Sequence, residues 1–457
     1  MKMTQEQRTR MMLNEPVSRL IGRLALPSII SMLITSIYNM ADTFFVSQLG
    51  TSASGAVGVI FSAMAMIQAI SFTIGMGSGT NVSRALGAGE TGEARVLCSV
   101  GVITAFLTGM ALAVLGLGSL DWLVRFLGAT ETIAPYAKAY ATYIFYATPF
   151  MMASFVMNNL LRFQGLAVYG MVGITTGGIL NMILDPILIF GLNLGTAGAA
   201  IATGISQTVS FTILLIMCNT RPGAISISLR RFRPTLRMYG RILYNGLPSL
   251  GRQGIASVAT VMLNTAAGVY GDAAIAAMSI VSRFIMFINS TVIGFGQGFQ
   301  PVCGFCYGAG RYTRVREAFA FCVKVTTVIL LVLGGMSMAF ARPIITLFRR
   351  SDPQVIEIGA RALRMQLCTL PLWGFITMSN MLTQSIGYGV RATLLSIARQ
   401  GIFLIPALLV LPRVLGLTGI QMAQPLSDAL TFVFALIIMR GVLAQLKARP
   451  DRTEGGA

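Results

Sequence analysis

Histidine is absent from this sequence, acidic residues are scarce and only two tryptophans occur in 457 residues. Without histidine, the lone CxxC of Cys303 and Cys306 has neither a second cysteine pair nor an imidazole with which to complete a zinc site. Both are read as small buried core residues. No Walker motif occurs, so the chain offers no ATP site and no cofactor is expected. Charged residues make up 11% of the chain and hydrophobic ones 55%, with a mean hydropathy of +0.75. Soluble domains carry about a quarter charged residues, so the chain is read as a membrane protein.

Apolar runs of about 20 residues, the length of a bilayer-spanning helix, recur throughout. The spans are placed at 24–48, 55–83, 96–119, 136–161, 167–192, 196–219, 242–270, 274–306, 317–341, 358–385, 392–411 and 417–439. A membrane barrel would show alternating segments of about ten residues instead. The expected class is thus an all-α polytopic membrane protein with about twelve transmembrane helices. The net charge of +19 follows the membrane and not a groove for nucleic acid, and no nucleic-acid partner is expected. Most basic residues fall in the two tails and the even-numbered connections, including Arg230, Arg231, Arg233 and Arg237, which places both termini in the cytoplasm. Arg342, Arg349 and Arg350, after the ninth span, run against that pattern. The N-terminal tail carries Lys2, Arg8, Arg10 and Arg19 and leads into a full-length span without a small-residue cleavage site, so it is read as retained, with a short interfacial helix.

Sliding the chain against itself by about 221 residues aligns its features in one order. Leu26-Pro27-Ser28 meets Leu247-Pro248-Ser249, the GMGSG of Gly75 to Gly79 meets the GFGQG of Gly294 to Gly298, Pro149 meets Pro371, and Gly195 meets Gly416. The glycine triplets sit inside spans, where close helix packing explains them better than phosphate binding. Two parallel six-span lobes around a central cleft are expected. The boundaries are a tail at 1–23, an N-lobe at 24–220, a basic linker at 221–241, a C-lobe at 242–444 and a second tail at 445–457.

An ionisable side chain inside a membrane is costly and marks a functional candidate. From Leu24 to Ser83 the only charge is Asp42, and from Phe163 to Thr220 the only one is Asp185. Burial disfavours the charged form of a carboxylate and a neighbouring carboxylate disfavours it further, which suits proton binding and release. Asn181, one turn before Asp185, and Tyr38 and Asn39, beside Asp42, supply hydrogen-bonding groups. A Na+ site at Asp42, Asp185 and Asn181 would want the same oxygens, so the coupling ion is left as H+ or Na+. In the self-alignment Asp42 meets Asn264 and Asp185-Pro186 meets Ile405-Pro406, which confines both acids to the first lobe. Pro27 and Pro186 are expected to bend their helices. Arg252 and Lys324 are expected to snorkel, whereas Arg283 and Asp428 either line the cleft or pair.

The segments YNMADTFFVSQLG, NNLLRFQG, NMILDPILIFG and the two GxxGxxxA segments beginning at Gly195 and Gly416 resemble the multidrug and toxic compound extrusion (MATE) family, in its DinF-like branch. The resemblance covers roughly residues 15–445. It implies a bacterial plasma-membrane antiporter, expected as a monomer, that exports organic, often cationic, drug-like compounds by alternating access. It implies site roles for Asp42, Asp185, Asn181 and Thr203, with Asn158 or Asn159 as the asparagine of the fourth span. The NorM-like branch also uses acids in the seventh and tenth spans, which have none near their centres here. A lipid-linked oligosaccharide flippase of the same superfamily and a major-facilitator transporter are the alternatives, although ALGAGETGEAR is a poor match to the major-facilitator motif. An intramembrane aspartyl protease would need GxGD, which is absent, and duplicated lobes fit alternating access better than a channel.

Overall fold

The structure is a computed structural model and describes residues 5–221, 223–348 and 352–452; Lys2, Arg349 and Arg350 lie outside them. Every regular element among the described residues is helical. A short α1 (Gln5–Asn14) ends before Pro16, which cannot continue it, and α2 (Val17–Ser47) begins directly after. The first lobe continues with α3 (Thr51–Gly87), α4 (Thr91–Gly118), the short α5 (Leu120–Phe126), α6 (Ala134–Phe163), α7 (Ala167–Pro186) and α8 (Gly195–Thr220). The second holds α9 (Leu236–Gly268), α10 (Asp272–Gly308), α11 (Tyr312–Ala339), the short α12 (Ala341–Phe348), α13 (Pro353–Thr369), α14 (Leu372–Ser385), α15 (Gly389–Ile397), α16 (Ile405–Leu415) and α17 (Leu417–Ala448).

Among the described residues, ten helical stretches are long and apolar enough to cross a bilayer. The other two expected spans are present as helices but fall short by that measure. α9 carries Arg237, Arg241 and Arg252, and α13 and α14 break at Leu370 and Pro371, so that neither reaches 18 residues. The most apolar stretch of α6 is 78% buried, against 28–39% in the other nine, which makes α6 the hub on which the first lobe is packed while the rest face lipid.

The duplication is written into the backbone. Gly50, Gly89, Gly165 and Gly195 turn the chain with positive φ, and so do their counterparts Gly271, Gly310, Gly387 and Gly416. A side chain is disfavoured in that region, which is why glycine stands at each equivalent corner of both lobes. The prolines behave less uniformly. α2 runs through Pro27 as one helix, whereas α7 gives way after Pro186 to a wide π-helical turn at Ile187–Gly191. In the second lobe the wide turn, Ala398–Leu404, precedes the matching Pro406. All six cysteines are free, and Cys303 and Cys306 are buried, as expected of core residues.

The lobes meet through α2 against α10 and α3 against α9 and α10, in the halves of these helices nearer the two termini. Glycines bring the backbones together there. A methyl group on Gly77 would overlap the carbonyl oxygen of Ile242, one on Gly246 that of Thr73, one on Gly87 that of Phe305 and one on Gly308 that of Arg84. Ser83 donates to Pro301 O (2.9 Å) and Asn245 to the side-chain oxygen of Asn81 (3.3 Å), while Arg241 pairs with Glu93 at the rim. Burial is the largest single influence and raises the Glu93 carboxyl, but the hydrogen bonds from Arg241 and Glu90 and the charges of Arg241 and Arg237 together outweigh it and hold the group below its ordinary value, so this pair stays charged at neutral pH. Ser36 and Ser290 (3.2 Å) mark the far limit of the seam, and no hydrogen bond joins the lobes beyond them among the described residues. Ile37, Met40, Phe44, Val261 and Phe287, in the other halves, are exposed.

The seam is therefore sensitive to added volume. With Cys368 replaced by serine, Gly87→Val is expected to raise thiol labelling of Ser83→Cys roughly tenfold, since overpacking costs about 1–3 kcal/mol. Unchanged labelling would show that the glycine contact does not hold the seam.

Candidate functional site

α7 and α8 approach closely because the facing positions are small. Gly177 lies against the Ser206 carbonyl and the Ser210 side chain, and Ser210 donates to Gly173 O (3.0 Å). α2 closes on the same pair of helices, with the Tyr38 ring and Ile34 resting against Gly178. The result is a narrow cavity of about 20 Å³ between α2, α6, α7 and α8, room for about one water molecule. Thr35, Tyr38, Phe155, Asn181, Thr203 and Gln207 are among its walls.

Asp185, one helical turn beyond Asn181, is fully buried in the first lobe. The Asn181 amide donates to one Asp185 oxygen (3.2 Å) and to Thr203 Oγ1 (3.3 Å). The second Asp185 oxygen, Asn181 Oδ1 and Asp42 Oδ1 are buried without a hydrogen-bond partner among the described residues. The charge of Asp42 acts on Asp185 and on Tyr38, and Tyr140 of α6 lies within the field of all three. No guanidinium or ammonium bonds to either acid among the described residues, and no cluster of three or more metal-ligating acids, cysteines or histidines forms. The site is a set of oxygen acceptors that lacks a positive counterpart.

Not every residue singled out in the sequence joins this set. Asn39 is exposed. Asn159 is buried but belongs to another group: it donates to Phe155 O (2.7 Å), accepts from Arg162 and packs on Gly75, while Asn158 lies against Gly170. Neither asparagine bonds to Asp185 or Asn181. Tyr140, Ser206 and Gln207 were missed; the last two are polar positions in an otherwise apolar span, which was their available signal.

Arg399 was missed as well. It lies inside the expected span 392–411 and pairs with Asp428 (2.6 Å), settling that residue as a partner and not a lone lining group. The guanidinium sits 3.8 Å from the Trp373 ring centroid, and Gln424 (2.9 Å) and Thr369 (3.4 Å) also donate to Asp428. Arg283 is exposed on α10 and makes no ion pair among the described residues. Arg162 is almost fully buried, and Arg252 acts on it electrostatically, with no carboxylate bonded to either among the described residues.

Two six-span lobes meeting along one half of the membrane, with a polar cavity inside one of them, define a duplicated polytopic membrane protein of secondary-transporter architecture. The chain belongs to the MatE family, whose model matches residues 27–187 and again 248–409. The two matches begin 221 residues apart, the offset of the internal repeat. It is similar to the multidrug export protein MepA of Staphylococcus haemolyticus, 28% identical over 416 residues and 91% of each chain. It is also similar to MepA of Staphylococcus aureus, 25% identical over 93% of this chain and 94% of that one. Among solved structures, it resembles a MATE protein in complex with MaL6 (TM-score 0.91, 27% identity, 96% of this chain and 98% of that chain). A second match is the outward-facing conformation of a multidrug resistance MATE family transporter (TM-score 0.90, 27% identity, 95% and 98% covered).

Proposed function

We propose that the protein is a multidrug efflux antiporter of the bacterial plasma membrane, with both termini cytoplasmic, which exports organic cations by alternating access in exchange for H+ or Na+. The observation that carries the coupling is the buried Asp185–Asn181–Thr203 chain with three unpartnered acceptor oxygens around it. Such acceptors are costly when left bare in a low-dielectric site, and a proton or a small cation satisfies them. An organic cation would be attracted by the same charge, so ion and substrate compete for one carboxylate system and exchange instead of binding together. The seam near the termini, with the other halves of the lobes exposed, supports this reading, since an outward-open member of such a cycle would be closed on the side of cytoplasmic termini. Family membership and the drug-export relatives support this reading.

Reconstitution in proteoliposomes tests it: efflux of a fluorescent organic cation is driven in turn by a pH gradient and by a sodium gradient. Wild type is expected to respond to at least one gradient, and Asp42→Asn and Asp185→Asn to lose that response. Equal coupled transport in all three proteins would overturn the proposal. Thr203→Val removes one hydrogen bond from Asn181, and its expected effect is smaller. At about 0.5–1.5 kcal/mol, the apparent affinity for the driving ion should fall roughly 2- to 12-fold with the maximal rate retained.

A second reading is favoured by Arg162 and Arg252, whose positive charges reach one another without a bonded carboxylate. They suit a substrate with an anionic group, as in a lipid-linked oligosaccharide. Under that reading Arg252→Gln impairs transport of an anionic amphipath and Asp185→Asn does not.

A further inference from the structure

On the flank of the second lobe a groove runs between α11 and α17, away from the first-lobe cavity. Arg316, Phe319, Val323 and Lys324 line it from α11, and Leu443 and Lys447 from α17. Three of these residues are cations, and no carboxylate lines the groove among the described residues. Arg316 reaches Thr313 Oγ1 (3.3 Å), but its Nε is buried and has no hydrogen-bond partner among the described residues. Lys324 and Lys447 are exposed and form no ion pair among the described residues.

Depth makes this arrangement unusual. Lys324 is twelve residues into α11, about 18 Å along the helix at 1.5 Å per residue, on a flank that the bilayer covers. An ammonium there is costly unless its flexible stem carries it to a negative group near the interface. Arg316, two turns nearer the helix end, and Lys447, in the last turn of α17, lie where that group would be. Phe319, Val323 and Leu443 form an apolar strip between the cations. Basic pockets between membrane helices are a recurring form of anionic-headgroup site.

We propose that this groove binds an anionic phospholipid of the leaflet on the side of the two termini. Its phosphate sits among Arg316, Lys324 and Lys447, and an acyl chain lies along the Phe319, Val323 and Leu443 strip. The occupant is a lipid and not a free anion because half of the groove is apolar and opens to the bilayer.

Native mass spectrometry of the full chain, titrated with phosphatidylglycerol or phosphatidylethanolamine, tests this. The wild type should retain phosphatidylglycerol preferentially. At roughly fivefold for each cation removed, Lys324→Gln with Lys447→Gln should weaken that retention about 25-fold. Phosphatidylethanolamine retention should not change, and neither should phosphatidylglycerol retention in Arg413→Gln, an exposed cation at the end of α16. Glycerol phosphate, the headgroup without chains, should not displace the lipid at equal concentration. Wild-type retention in the double variant, equal loss of both lipids, or displacement by glycerol phosphate would each overturn the proposal. All substituted side chains are exposed, and an unchanged Tm identifies correctly folded variants.

Discussion

Asp185→Asn is expected to lower gradient-driven export of an organic cation by roughly 5- to 150-fold, the span of a coupling free energy of about 1–3 kcal/mol. Asparagine fills the same volume and still bonds Asn181, so Tm should stay close to wild type. Under the proposed exchange, what it removes is a group that is negative in one half of the cycle and neutralised in the other. A pH titration separates loss of coupling from general damage. In a proton-coupled wild type, protonation removes the negative charge that attracts the substrate, so cation affinity falls as pH is lowered. With asparagine no charge remains to titrate at position 185, and affinity should be weaker and nearly flat. A variant that keeps the wild-type slope would assign the titration to Asp42 or to a group outside the cavity.

The second large effect concerns stability. Asp428→Ala leaves the mostly buried Arg399 guanidinium beside Trp373 with its carboxylate gone. Removing one partner of a buried ion pair typically costs about 3–5 kcal/mol, because an uncompensated charge remains. The apparent Tm in detergent should fall by several degrees. The double variant Arg399→Met with Asp428→Met should recover most of the loss, since replacing both charges by apolar groups is often near neutral. If the double variant is as unstable as the single one, the pair is held by its surroundings and not by its charge. Transport by the double variant also reports whether the second lobe uses this pair in the cycle or only in its packing.

These two acids show how far the sequence could be read. Asp185 and Asn181 stand four residues apart in a run without other charge, so their shared helix face and their contact followed from helical spacing alone. Thr203 came from the family resemblance, because no local pattern tells which threonine of the next helix faces that turn. Asn158 and Asn159 illustrate the limit: adjacent residues point about 100° apart on a helix, and a neighbouring arginine drew Asn159 into a different group. Tyr140 was out of reach, since it enters the site only through the packing of α6 against its neighbours. Arg399 lay in plain view inside an apolar span, yet its partner is 29 residues away on the next long helix.

The lobe architecture was more legible because it was written twice. Glycines at equivalent corners, and the glycine triplets of α3 and α10, required no knowledge of distant contacts. The wide turns beside Pro186 and Pro406 were not legible, since a proline marks where a helix loses a hydrogen bond and not how the chain absorbs the loss.

The glycine seam between the lobes has an electrical consequence. Where the backbone around Gly77 meets Ile242 and that around Gly87 meets Phe305, not even a methyl group fits, and a water molecule needs a comparable or larger space. A file of water along which protons could hop cannot form through those contacts. At these contacts the seam acts as an insulator, so under the proposed exchange an ion gradient across the membrane would be left to discharge through the movement of the lobes.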